Sequence, residues 1–421
     1  MINGPPLTIL MPTFGSAGDV HPFIGLARAL QDRGHRPTII ANALFQPTVE
    51  AAGVGFIPFG NAERYAKLTA DPRLWDHRHS YRFLMQSVTL PAMRPLYDLI
   101  AAQPRQGLVL ASSYLAFGAR LASERLGIPL ATVHLQPAAI HSLDSPPVLP
   151  GLPDLRILPR PLRRWILDLL FRRVVDPVVA EPLNTLRAEL GLTPVRDIMR
   201  NWLHSPHLTL CLFPGWFAKR QEDWPPASVT TDFVWQEGGG EPDAELRAFV
   251  ENGTPPLVVT AGTAMQHAKE LFAQAAEAAR LLGRRALLVT PARDQIPTRL
   301  PSGVIHTTYA PFSWLLKHAA LVIHHGGVGT AARCLRAGVP QLVTPFSLDQ
   351  PDNADILKRL GVAEVLPPSR FQAVRAAAAI DRLLNSAETA TRCAHCAALC
   401  RSGSGVKEAA ERIETLGLRN S

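Results

Sequence analysis

Residues 323–330, Ile-His-His-Gly-Gly-Val-Gly-Thr, put two imidazoles and three glycines into a segment suited to holding a diphosphate. The apolar run 320–323 reads as a buried parallel strand and residues 330–337 as the helix after it, so Gly326, Gly327 and Gly329 fall on a strand-to-helix turn. At such a turn the free backbone N–H groups face outward and favour an anion. Glycines let the backbone approach phosphate oxygens, although a tight turn needs glycine in any case. His324 or His325 can add an imidazole hydrogen bond, and Thr330 closes the loop. Further on, Asp349 and Gln350 supply an acceptor and a mixed donor and acceptor, the types that read sugar hydroxyls; capping the next helix would use them equally well, and Asn353 is ambiguous. The combination predicts a nucleoside-diphosphate sugar as ligand.

A second constellation lies in Gly15-Ser-Ala-Gly-Asp-Val-His-Pro22, on the turn after the first apolar run. Moving a sugar onto an alcohol needs a base for the hydroxyl proton, and Asp19 and His21 are the candidates, alone or together. Against this, Asp19 can cap a helix beginning near Pro22, and His21 can point to solvent. Ala261-Gly-Thr263 follows another apolar run and can set the Thr263 hydroxyl on a phosphate. Tyr309 ends a strand where an aromatic can stack on a pyrimidine, while Phe312 and Trp314 suit core packing. No Asp-x-Asp motif occurs, so no metal ligand set is expected, and the departing diphosphate would be stabilised by the helix N-terminus and His324.

Short β-rich runs alternating with helical ones must position these groups. Runs at 7–11, 38–41, 54–59, 108–111 and 130–133 interleave with helices at about 22–33, 45–52 and 115–126, the pattern of a parallel sheet with helices on its faces. It resumes with runs at 256–260, 286–290, 304–307, 321–324 and 341–343. The expected fold is α/β with two Rossmann-like doubly wound domains facing each other across a cleft, ligands binding at strand carboxyl ends. The expected division is residues 1–235, a Gly/Pro/acid-rich linker over 236–250, and residues 251–421, with the last helix packing back on the first domain. Between about 145 and 201 a Pro- and Arg-rich insertion interrupts the pattern; arginines at 156, 160, 163, 164, 172 and 173 flank an apolar centre with Trp165 and Phe171. It reads as an amphipathic surface helix, or as an element touching a membrane or a lipid acceptor.

At 421 residues, with 47% hydrophobic and 19% charged residues, the chain is a globular protein with more than one core. A net charge of +8 without a basic tail does not call for nucleic acid. No run approaches ~18 uninterrupted apolar residues, and the start MINGPPLTILMP lacks a charged signal-peptide region, so a cytoplasmic location is expected. Five cysteines, an odd number, argue against a disulfide framework. Cys393, Cys396 and Cys400, near His395, lie at i, i+3, i+7 on one face of an Ala-rich helix, which favours the core over a metal.

With these motifs in view, the chain resembles the inverting, metal-independent glycosyltransferases of GT-B architecture, in the UDP-glycosyltransferase-like family. The likeness spans nearly the whole chain. It implies that His324 matches the phosphate-binding histidine, Gly326 to Thr330 the phosphate loop, and Asp349-Gln350 the sugar-reading pair. Many members carry a catalytic histidine where Ala17 stands; the Gly-Asp-Val-x-Pro form found here is similar to the branch with an aspartate base at the position of Asp19. Residues 15–27, 71–76, 211–217, 223–225 and 309–311 resemble the catalytic rhamnosyltransferase branch of rhamnolipid biosynthesis. That implies dTDP-L-rhamnose as co-substrate with no other cofactor, and a hydrophobic 3-(3-hydroxyalkanoyloxy)alkanoate acceptor supplied by an acyltransferase partner. It also agrees with peripheral contact to the inner membrane. A UDP-glucose-dependent enzyme acting on a lipid, sterol or polyketide is the alternative, and a non-catalytic lipid-binding partner of the same fold is the alternative from another class.

Overall fold

Leu108–Ser113 and Leu130–His134 are buried along their whole length, as strands covered on both faces must be. In the computed structural model, which describes residues 5–148, 153–236, 240–403 and 405–419, such runs form two parallel sheets in two units of the chain. The first holds β1 (Thr8–Pro12), β2 (Arg36–Ala41), β3 (Gly55–Pro58), β4 (Leu108–Ser113), β5 (Leu130–His134), β6 (Leu208–Cys211) and β7 (Ser228–Thr230), in the order β3-β2-β1-β4-β5-β6-β7. The second holds β8 (Leu257–Thr260), β9 (Ala286–Val289), β10 (Val304–Thr307), β11 (Leu321–His324), β12 (Gln341–Val343) and β13 (Ala363–Val365), in the order β10-β9-β8-β11-β12-β13.

In each sheet the chain winds outward from one strand and then returns to that strand's other side. Thr8 of β1 pairs with Arg36 of β2 and with Leu108 of β4. Leu257 of β8 likewise pairs with Ala286 of β9 and Leu321 of β11. At such a reversal the connections leave in opposite directions and open a crevice beyond the strand ends, where ligands bind in this class of sheet. The Gly15–Asp19 turn follows β1, Gly262-Thr263 follows β8, and His325 follows β11, so three of the expected sites stand at the two reversals.

Several boundaries differ from the sequence reading. The first helix runs from Ala17 to Asp32, so Pro22 lies inside it rather than at its start. Ser16 and Asp19 cap the earlier start, and Pro22 omits only the bond its N–H would have given Gly18. Part of the expected linker, Ala244–Glu251, is a helix capped by Asp243, with Leu246 and Val250 in the core of the second unit; residues 237–239 lie outside the described residues. Residues 69–77 belong to the second unit, where Trp75 packs on the core and Ser347 Oγ donates to the Leu74 carbonyl at 3.0 Å. The Gly405–Leu418 helix belongs to the first unit. There Arg33 pairs with Glu414 and, at 3.2 Å, with Glu411. Cys393, Cys396 and Cys400 are all buried.

The first unit also buries histidines at the end of β5. His134 Nε2 lies 3.1 Å from His204 Nδ1, His134 stacks on Tyr114, and the His141 ring meets Phe171 edge-on. Burial pushes His141 down to about 4 and His204 to about 3, and holds His134 well below its usual range. All three are therefore neutral in the fold and take up protons on unfolding, so their contribution is complete above the unfolded value of 6.5 and declines as pH falls. The melting temperature should drop as pH falls from about 6.5 to about 4, and less steeply in His204→Asn. Packing of the last helix is tested separately: a Cβ at Gly417 would lie 2.4 Å from Leu7 Cδ1 and 2.8 Å from Val109 Cγ2. Gly417→Ala should cost about 1–3 kcal/mol in urea unfolding, the scale of overpacking.

Candidate active site

β11 ends at His324, whose ring is fully buried. Its Nδ1 accepts the Gly326 N–H at 3.1 Å and its Nε2 lies 2.9 Å from Gln341 Oε1, which assigns the proton to Nε2. Burial pushes the ring down to about 4, so it is neutral. Both nitrogens are engaged inside the protein, so in this structure the ring holds the loop in shape. His325 takes the outward place. Its ring occupies space that only glycines leave open, because a Cβ at Gly262 would stand 2.7 Å from its Cε1 and one at Gly327 2.4 Å from its Nε2. His325 makes no hydrogen bond among the described residues, and its buried Nδ1 lacks a partner. Burial first, then His324, pushes its ring down to about 3.

Gly326 has φ +90, and a Cβ there would press on the Gln350 carbonyl and Val343 Cγ1, each at 3.0 Å. The next helix, Val328–Ala337, begins at Gly327 without a side-chain cap, two residues earlier than expected. Gly329 and Thr330 therefore lie in its first turn, where the N–H groups of Val328 and Gly329 have no intrahelical acceptor and point out of the helix end.

Asp349 and Gln350 open the Gln350–Arg359 helix. Gln350 Oε1 accepts the N–H groups of Phe346 and Ser347 at 2.8 and 3.3 Å, while its amide nitrogen makes no hydrogen bond among the described residues. Leu348, between Ser347 and Asp349, has φ +58 and is exposed, a left-handed conformation unfavourable for leucine and typical of functional turns. Asn353 was ambiguous in the sequence. It is fully buried, and its Nδ2 donates to the Gly326 carbonyl at 2.9 Å and to Asp349 Oδ2 at 2.7 Å. One amide thus ties the glycine loop to the Asp349-Gln350 turn. The spacing of Asp349 and Asn353, one helical turn apart, was the available signal. Gln341 was missed; a lone glutamine within an apolar strand run was its only trace.

Thr263 is exposed on the loop after β8, which Gln295 pins by accepting the Ala268 N–H at 2.7 Å and donating to the Met265 carbonyl at 2.9 Å. Tyr309 is 55% exposed, and Phe312 and Trp314 pack on the core. In the first unit, Asp19 Oδ2 accepts the Ser16 N–H at 2.7 Å and the Ser16 hydroxyl at 3.2 Å, leaving Oδ1 without a partner among the described residues. A Cβ at Gly15, φ +132, would overlap Oδ2 at 2.1 Å, so only glycine admits the carboxylate. Desolvation raises the Asp19 pKa to about 6, against the lowering by Ser16. His21 follows two residues on in the same helix, about 200° around it, so the two side chains do not face each other and cooperation between them is not supported.

Residues 9–142 match the glycosyltransferase family 28 N-terminal domain, and residues 286–416 the erythromycin biosynthesis protein CIII-like C-terminal domain. The glycosyltransferase GtfE of Amycolatopsis orientalis is 30% identical over 394 residues, covering 88% of this chain and 89% of that protein. The O-mycaminosyltylonolide 6-deoxyallosyltransferase of Streptomyces fradiae is 28% identical over 433 residues, 97% of each chain. The crystal structure of the glycotransferase of kitacinnamycin superposes with a TM-score of 0.73 at 20% identity, over 98% of this chain and 100% of that one. The chain belongs to this family of GT-B glycosyltransferases and is a nucleotide-sugar-dependent transferase.

The two histidines should separate by experiment. His324→Ala leaves Gln341 Oε1 and the Gly326 N–H unpaired in the interior and should cost about 2–4 kcal/mol of stability, two such groups' worth. His325→Ala should leave the melting temperature within a few degrees of the parent yet raise the donor KM about tenfold or more, the scale of a lost charge-assisted hydrogen bond. Unchanged donor kinetics in His325→Ala would remove it from the site.

Proposed function

We propose that this enzyme transfers L-rhamnose with inversion from dTDP-L-rhamnose to the hydroxyl of a 3-(3-hydroxyalkanoyloxy)alkanoate, giving a mono-rhamnolipid. The stretches resembling the rhamnolipid branch, including Gly15–Ala27 and Cys211–Phe217, support that substrate pair. A relative named as a 6-deoxyallosyltransferase supports a 6-deoxyhexose, the class to which rhamnose belongs.

The observation that carries the mechanism is the Asp19 carboxylate beyond the end of β1: one oxygen is held by Ser16, the other has no partner among the described residues, and the pKa is raised to about 6. That second oxygen takes the acceptor hydroxyl proton while that hydroxyl's own oxygen attacks the anomeric carbon. The bond from that carbon to the diphosphate breaks on the opposite face, which inverts the configuration. The departing diphosphate gains charge, and the first-turn N–H groups of Val328 and Gly329, with His325, stabilise it. Thr263 adds a phosphate contact, the Gln350 amide and Asp349 read sugar hydroxyls, and Tyr309 borders the base. The reaction so written uses no cofactor beyond the nucleotide sugar, and the ester bond of its acceptor comes from a preceding acyl transfer.

Asp19→Asn keeps an oxygen for the Ser16 N–H, so the helix start and melting temperature should hold while turnover falls about a hundredfold or more, the scale of a lost general base. Because the base works deprotonated, parent turnover should rise with pH through about 6, and the variant should lose that limb. Near-normal turnover in Asp19→Asn, or an equal loss in His21→Ala, would reject this assignment. With the hydroxyalkanoyl lipid, equal dTDP-rhamnose and UDP-glucose should yield rhamnolipid; glucolipid alone would refute the donor while leaving glycosyl transfer intact.

A further inference from the structure

The Arg160–Leu170 helix of the first unit is apolar on two sides. Leu167 and Phe171 are each 2% exposed and face the core. On the other side Leu162, Trp165 and Leu169, at i, i+3 and i+7, share one face and are 44%, 62% and 46% exposed. Ile157 before the helix and Val174 in the turn after it, 73% and 55% exposed, extend the solvent-facing apolar set. A solvated helix face is ordinarily polar, and one tryptophan among four aliphatic side chains is costly to leave in water.

The arginines around it divide into two groups. Arg156 pairs with Asp154 at 2.8 Å, Arg160 pairs with Asp144 at 2.9 Å, and Arg163 is half-buried, donating to the carbonyls of Leu143 and Leu158. These serve the fold. Arg164, Arg172 and Arg173 are exposed and make no ion pair or hydrogen bond among the described residues. The acidic groups nearby are already engaged: Asp168 by Arg200, and Asp176 by the N–H groups of Ile198 and Met199. The exposed apolar face is therefore flanked by the uncompensated charges of Arg172 and Arg173, while Arg164, two positions from Leu162, lies about 200° around the helix from it.

We propose that this face docks on an anionic phospholipid surface, with Trp165, Leu162 and Leu169 entering the headgroup boundary and Arg172 and Arg173 meeting lipid phosphates. Among the described residues no helix is long and apolar enough to cross a membrane, so the helix lies along the surface. Guanidinium groups match phosphate geometry bidentately, and an indole with an apolar body and one N–H suits the interface.

The full chain should co-sediment with vesicles of phosphatidylglycerol and phosphatidylethanolamine, weakly with phosphatidylcholine alone, and less as salt rises. Arg172→Gln/Arg173→Gln should weaken binding by roughly thirtyfold, the combined scale of two interfacial cations, with donor KM and melting temperature unchanged. Trp165→Ser should also weaken it, and brominated lipid should quench fluorescence in the parent more than in Trp165→Phe. Absence of binding to anionic vesicles, or binding that both the double variant and Trp165→Ser retain, would overturn the proposal. So would a dimer in light scattering that the double variant and Trp165→Ser abolish, which would make a second copy the occupant.

Discussion

The carbonyl of Gly326, turned inward and held by the buried amide of Asn353, is the constraint on which the donor end depends. A peptide plane can turn this way only where φ is positive, which leaves glycine as the residue that fits. Once turned, the same residue's N–H falls on His324 Nδ1 and its carbonyl on Asn353, so one glycine is fixed from both sides by buried hydrogen bonds. Asn353 then passes the constraint to Asp349, and Gln350 to the Phe346 and Ser347 backbone. Outward-facing groups are positioned because inward-facing ones leave the turn no alternative.

The imidazoles of His134, His141, His204, His324 and His325 are held neutral by desolvation. His324, with one nitrogen accepting and the other donating, serves as a rigid spacer between a loop and a strand, and protonation would convert its acceptor into a second donor facing an N–H. His134 and His204 share one contact of the same kind at the end of β5. Asp19 shows the opposite use of burial: desolvation outweighs the Ser16 hydrogen bonds and leaves a carboxylate basic enough to accept a proton near neutrality. The same capping box that begins the first helix therefore also orients this carboxylate.

The two sheets repeat one device. The chain runs outward from β1 or β8, returns to that strand's other side, and leaves a crevice at the strand ends. Loops at that place carry little of the packing, so they accept glycines, exposed threonines and a left-handed Leu348 that a strand or helix interior would reject. The Arg-rich insertion is a separate case. Its buried side is ordinary core, and its other side is explained by nothing within the described chain.

Periodicity and punctuation in the sequence determined the fold class and nearly every strand, because runs such as Leu321–His324 and Leu257–Thr260 are apolar throughout and bounded by turn residues. Residue types at those turns also set the chemistry expected of them: glycines and imidazoles for a diphosphate, a carboxylate for a proton. The sequence could not determine which of two adjacent histidines turns into the interior, since neighbouring side chains point to opposite sides and only the finished sheet says which side is interior. Tertiary structure alone decided that His324 is consumed by Gln341 and Gly326, that Asn353 joins two loops, and that Arg163 supports carbonyls while Arg164 stays unpaired among the described residues. Each is a hydrogen bond between groups distant in sequence or a difference in burial between neighbours. Local pattern holds no record of either, because both depend on where the rest of the chain comes to lie.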